Sequence, residues 1–196
     1  MTFTTDSITP FWRRLSGVLC VIVIVLSFLW SVSARAEGIS VMSAGLESSD
    51  EGYSLDAAFD ISFSPTLEDA LNRGVVLTFL LEFEATRPRW YWLDEKIAQV
   101  ESSWKLSYNA LTRQYRLSIG SLYQNFDRLD EAKRVLSRVR NLPVVEKGVF
   151  KKGATYDAAV RLRLDVTKLP KPFQINALAS KDWDLSSDWH RFSFAP

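Results

Sequence analysis

From Tyr53 to Phe63 the chain alternates between apolar and polar side chains. Tyr53, Leu55, Ala57, Phe59, Ile61 and Phe63 take one set of positions; Ser54, Asp56, Asp60 and Ser62 fall between them. The same period returns at Tyr156, Ala158, Val160, Leu162, Leu164 and Val166, interleaved with Asp157, Arg161, Arg163 and Asp165. Successive side chains of a strand point to opposite faces, so period two means one buried face and one wet face. That is the habit of antiparallel sheets; fully covered parallel strands read as continuous apolar runs. An all-helical fold is thereby excluded.

The remaining segments fit around this frame. Residues 39–46 read as a further strand, and Glu47 to Gly52 as a turn. Ser64-Pro65 can open a helix, because serine caps the free amides and proline suits the first position. Leu67, Ala70 and Leu71 supply its stripe, and Gly74 ends it. Val75 to Glu84 reads as a central strand partly covered on both sides. Ile97 to Tyr108 is a second long strand, with Val100, Trp104, Leu106 and Tyr108 on one face. Leu111, Tyr115, Leu117 and Ile119 form a third, completing a meander. Phe126, Leu129, Ala132, Val135, Leu136 and Val139 recur at helical spacing, with Pro143 just beyond. Pro170 and Pro172 break the strand that starts at Tyr156, and Trp189 to Phe194 reads as a terminal strand. The expected fold class is α+β: a single domain over 37–196, mainly antiparallel β, as a curved sheet or two-layer sandwich of about seven strands with two inserted helices.

The N-terminus carries an address. Arg13 and Arg14 precede Val18–Trp30, thirteen residues of which only Ser27 is polar. Ser31-Val32-Ser33-Ala34-Arg35-Ala36 follows, with Ala34 and Ala36 at the positions of an A-x-A cleavage site. A positive region, a short apolar core and small residues before the cut make up a secretory signal peptide, here residues 1–36. The expected location is the periplasm, reached by a Sec-type route, with membrane contact only before cleavage. The alternative is an uncleaved inner-membrane anchor. It is disfavoured because a spanning helix needs about 20 apolar residues and Arg35 stops any extension. Cleavage would change the arithmetic. The whole chain has 24 basic and 23 acidic residues, a formal charge of +1. Residues 1–36 hold three of those bases and one acid, leaving 21 and 22, a charge of −1. They also hold the only cysteine, Cys20.

These figures argue against several classes of function. A near-zero charge lacks the basic footprint of a nucleic-acid binder. With Cys20 removed and only His190 as imidazole, neither a zinc site nor a common nucleophile–base pair can be assembled from the usual residues. Asp188 stands two residues from His190, which is no triad. There is no nucleophile elbow and no phosphate-binding glycine loop, and no cofactor is expected. Asp182-Trp183-Asp184 starts like a calcium loop, but Ser187 and Ser193 stand where glycine and glutamate are required. A carboxylate pair for glycoside hydrolysis stays open, since spacing along a chain this rich in acids selects none.

One cluster stands out: Arg87-Pro88-Arg89-Trp90-Tyr91-Trp92-Leu93-Asp94. As a strand it would put Trp90 and Trp92 on one face and Arg87, Arg89 and Tyr91 on the other. As a binding surface, the aromatics would stack on a sugar or peptide and the arginines would meet carboxylates or phosphates. As packing, Trp90 and Trp92 would plug the core, and the arginines would lie over Tyr91 or pair with Glu82, Glu84 or Asp94. Large aromatics usually pack, which favours the second reading. Trp183, Trp189 and Phe192 are expected to close one end of the core.

Taken in order, the motifs resemble a known family. They are a signal peptide, SPTLEDALNRGVVLTF at 64–79, RPRWYW at 87–92, AAVRLRLD at 158–165, LPKPF at 169–173 and DWDLSSDW at 182–189. This pattern is similar to that of the proteobacterial exported proteins carrying domain of unknown function 4390. The resemblance implies no catalytic residues and no activity. It does imply an association with nitrogen-type membrane sensor kinases, and so a periplasmic or membrane-protein partner. The expected function is a non-enzymatic binding or interaction module. A cell-wall carbohydrate binder and a carboxylate hydrolase are the alternatives.

Overall fold

A computed structural model describes residues 38–91 and 93–196. The signal-peptide expectation, including Ala34 and Ala36, lies outside the described residues, as does Trp92. Among the described residues nine strands form two antiparallel sheets. The smaller sheet has the order β1-β2-β7, from β1 (Gly38–Ser48), β2 (Gly52–Ser62) and β7 (Arg138–Glu146). The larger has the order β6-β5-β4-β3-β8-β9. Its strands are β3 (Leu77–Arg87), β4 (Glu95–Asn109), β5 (Gln114–Ile119), β6 (Leu122–Phe126), β8 (Tyr156–Leu164) and β9 (His190–Phe194). Three helices accompany them: α1 (Pro65–Asn72), α2 (Leu129–Leu136) and α3 (Lys171–Ala179).

The alternating segments behave as their period dictates. In β8, Tyr156, Ala158, Val160, Leu162 and Leu164 are buried, and every residue between them is half-exposed. In β2, Leu55, Ala57, Phe59 and Ile61 point inward. Inner-face residues of both sheets share one core. Phe63, just after β2, stacks on Phe79 of β3 at 5.8 Å, and Tyr53 of β2 reaches Phe194 of β9 at 6.3 Å. The two-layer arrangement follows from this. The small sheet covers part of the large one, β1 lying over β8 and β9, while α1 and α2 sit against β4, β5 and β6.

α1 begins where the serine–proline pair places it. The Ser64 hydroxyl accepts the Leu67 amide at 3.2 Å and donates to the Asp182 carbonyl at 3.0 Å. Gly74 closes the helix with φ of +90°, in the left-handed region that glycine tolerates.

The structure departs from expectation in several places. Leu111, expected on the third strand, is exposed in the turn before β5, which starts at Gln114. The helix expected across 126–139 spans only Leu129–Leu136; Phe126 ends β6 and Val139 lies in β7. Their helical spacing is coincidental, because each is an inward residue of a flanking strand. Pro143, placed by its spacing just beyond a helix, sits inside β7, opposite Ser54 at a register shift; β7 is a sheet edge, where proline is tolerated. Pro170 and Pro172 do not break the preceding strand, which already stops at Leu164, where Asp165 caps a 3-10 turn over Val166–Lys168; they open α3 instead, as its cap and an early helical residue. Strand and helix numbers rise accordingly, from about seven and two to nine and three.

Candidate functional site

The aromatic cluster occupies the connection between β3 and β4. Arg87 is the last residue of β3 and lies opposite Glu95, the first of β4. Pro88 has no amide hydrogen to continue the ladder, so the chain turns. The segment is therefore not a strand, and the two-faced division of its side chains does not apply. Trp90 is 95% exposed, Tyr91 65% and Leu93 80%. The expectation that Trp90 plugs the core is overturned: a turn beyond the sheet's end has no apolar layer above it. The rings of Trp90 and Tyr91 meet edge to face at 5.3 Å.

The arginines are held at the base of this turn. Arg87 and Arg89 both place an Nη2 on the same Glu95 oxygen. Their partner is thus Glu95, and not Glu82, Glu84 or Asp94 as the packing reading supposed. The Arg89 backbone amide also donates to Asp94 Oδ1 at 3.4 Å. The hydrogen bond from Arg89 is the largest effect on the Glu95 carboxyl; desolvation opposes it, and the further hydrogen bond and charge of Arg87 leave the carboxyl below its usual range. With Asp94 and Glu95 adjacent, two carboxylates stand beside the two guanidinium groups, so the base of the turn is charged but balanced.

A groove of about 740 Å³ runs over the outer face of the large sheet and ends at Asp94 of this turn. Register explains it. Glu84 of β3, Ala159 of β8 and Arg191 of β9 are cross-strand neighbours, as are Thr86, Asp157 and Ser193. The methyl of Ala159, set between two long side chains, leaves a depression. Glu84 pairs with Lys96 at 3.2 Å, and Asp157 Oδ1 accepts the Ser193 hydroxyl at 2.5 Å. Trp189 forms one wall; it is half-buried and carries the Arg161 guanidinium 4.5 Å above its ring. Of the three aromatics expected to close the core, Trp183 is buried in it, Phe192 is partly buried against the core and also lines the groove, and Trp189 lies in the groove. Arg161 also reaches Glu82, tying the wall to the centre of the sheet.

The groove was not foreseen because its residues come from segments far apart in sequence. The sequence assigns four of its lining residues other roles: Trp189 and Phe192 to closing the core, Glu84 and Asp94 to pairing with the arginines. His190 is half-buried in β9, with its ring 6.2 Å from Phe192. Asp182, in the calcium-like stretch, accepts the Thr66 hydroxyl at 2.9 Å. Among the described residues no group of three or more His, Cys, Asp or Glu side chains is arranged to hold a metal ion. Among the same residues no helix is long and apolar enough to cross a membrane.

No curated protein and no solved structure matches the chain. The model of the domain of unknown function DUF4390 matches residues 36–193, which include both the turn and nearly all of the groove. The chain belongs to the DUF4390 family.

Proposed function

We propose that the protein is an exported, non-enzymatic interaction module that docks on a protein partner through the Arg87–Asp94 turn. The observation that carries this reading is the exposure of Trp90 and Tyr91 beside two arginines fixed on Glu95. Tryptophan, tyrosine and arginine dominate the energetic centres of protein interfaces. Burying the two rings would remove apolar surface from water, and the arginines are already ordered, so less side-chain entropy is lost on docking. The N-terminal pattern of residues 1–36 supports export to the periplasm. The sensor-kinase association implied by the sequence resemblance suggests the outer part of such a membrane protein as the partner.

Photo-crosslinking from position 91 in intact envelopes, read by mass spectrometry, tests this proposal. The expected result is one dominant protein partner, lost when Trp90 is replaced by alanine. Recovery of glycan fragments instead would favour the carbohydrate reading, in which the same rings stack on sugar faces. Turnover of a cell-wall glycan that disappears in Glu84→Gln or Asp157→Asn would favour the hydrolase.

A further inference from the structure

The two sheets have four edges, and they differ in how they are protected. An edge strand presents a row of unpaired amides and carbonyls, and proteins blunt it with charge, proline, shortness or a bulge; along Gly38–Leu46, β1 has only the last of these, a single bulge between Val41 and Ser43. β7 carries Arg138, Arg140, Pro143 and Glu146. β6 and β9 are five residues each, and β9 bears Arg191. β1 is eleven residues long, and Gly38–Leu46 within it contains neither a charge nor a proline. Among the described residues it pairs with β2 alone.

Its pattern is also symmetric. Val41 lies opposite Phe59 and Ser43 opposite Ala58, so Met42 is the extra residue of a bulge; it is 72% exposed. With Met42 set aside, the residues packed toward the core are Ile39, Val41, Ala44 and Leu46, evenly disposed about Ser43. Two copies laid antiparallel with a two-fold axis at Ser43 bring Ile39 opposite Leu46, Ser40 opposite Gly45 and Val41 opposite Ala44. Apolar residues then meet apolar residues on the core side, and Glu47 faces Gly38, so no like charges oppose each other. Such pairing would cover Val41, Ala44 and Leu46, which are only partly buried in one copy.

We propose that β1 is a self-association edge. Two copies pair β1 to β1, antiparallel about Ser43, and join their small sheets into one continuous sheet. The interface is isologous, as most dimers are, and it stands apart from the Arg87–Asp94 turn.

Cysteine placement tests the register directly. The full chain carries Cys20→Ser to remove its only thiol, with either Ser43→Cys or Ser40→Cys added. Directly opposed residues of an antiparallel pair have Cα atoms about 4.5–5.5 Å apart, within reach of a disulfide. Two copies of residue 40 would be roughly 14 Å apart. Mild oxidation is expected to give covalent dimer from Ser43→Cys and none from Ser40→Cys. Light scattering is expected to show a dimer for the unmodified chain and a monomer for Ser43→Lys with the same melting temperature. The cysteine comparison keeps the test intact if the lysine variant does not fold. A monomer at all concentrations, equal cross-linking at both positions, or capture of a different protein at position 43 overturns the proposal.

Discussion

Glu82 of β3 accepts hydrogen bonds from both Arg161 and Arg163 of the adjacent β8, at 3.2 Å from Arg163 Nη2. Glu82 is 8% exposed, and Arg161 extends the link to the face of Trp189. Burial pushes the Glu82 carboxyl up, but the two arginines outweigh it and hold it below its usual range. A carboxyl depressed in the folded state adds stability above its unfolded pKa, about 4.3, and loses it as pH falls through the folded value. Glu82→Gln is expected to cost about 1.5–3 kcal/mol at neutral pH, the range for hydrogen bonds to charged groups. The gap between variant and wild type should close as acid is added. Urea unfolding from neutral pH to about pH 3 checks both the size and the direction.

Trp90→Ala should leave stability within about 0.5 kcal/mol of wild type, as exposed substitutions generally do. The ring touches only Tyr91 among the described aromatic contacts. Partner capture should nevertheless fall at least tenfold if Trp90 is an interface anchor. Thermal unfolding and quantitative pull-down, run on the same preparation, separate the two effects.

Glu95→Gln should release Arg87 and Arg89 while leaving the melting temperature unchanged, because the carboxylate lies at the surface. Binding through the turn should weaken. In the wild type the same loosening should appear only in acid, below the usual glutamate range, because the arginines lower this carboxyl. Line widths of the Trp90 indole resonance across a pH titration report it.

Gly52 starts β2 with φ of +145°, and a Cβ there would lie 2.1 Å from the Val145 carbonyl oxygen. That oxygen belongs to the backbone of the paired strand and cannot swing away. Gly52→Ala is expected to destabilise by at least about 2 kcal/mol, combining dihedral strain with displacement of β7. Chemical denaturation measures it, with Gly45→Ala as the control, since nothing lies within 4 Å of a Cβ at that position.

These cases mark what could be read from the chain. The strands around Leu55 and Val160 were legible because each buries one face, so the period records the burial. α1 was legible because Ser64 and Gly74 act on their nearest neighbours. α3 was missed because Pro170 and Pro172 read as strand breakers, whereas the strand stops at Leu164 and the prolines start a helix. Phe126 and Val139 fitted a helix by spacing alone; strands flanking a short helix can reproduce its period. The aromatic run was visible, but its exposure was not, since composition does not reveal where β3 turns back on itself. The groove was invisible because Glu84, Ala159 and Arg191 become neighbours only through strand pairing.

The order of the large sheet has a consequence for how the chain reaches this state. β3 lies between β4, its neighbour in sequence, and β8, which begins at Tyr156. Until β8 arrives, β3 has one bare side, and Ser64 waits for Asp182, 118 residues later, to accept its hydroxyl. Distant contacts of this kind slow folding, because loop closure precedes any gain from pairing. A chain stopped before residue 156 would leave bare the flank of the strand that carries Leu77, Phe79, Leu81 and Phe83, an unpaired edge of the kind that templates aggregation.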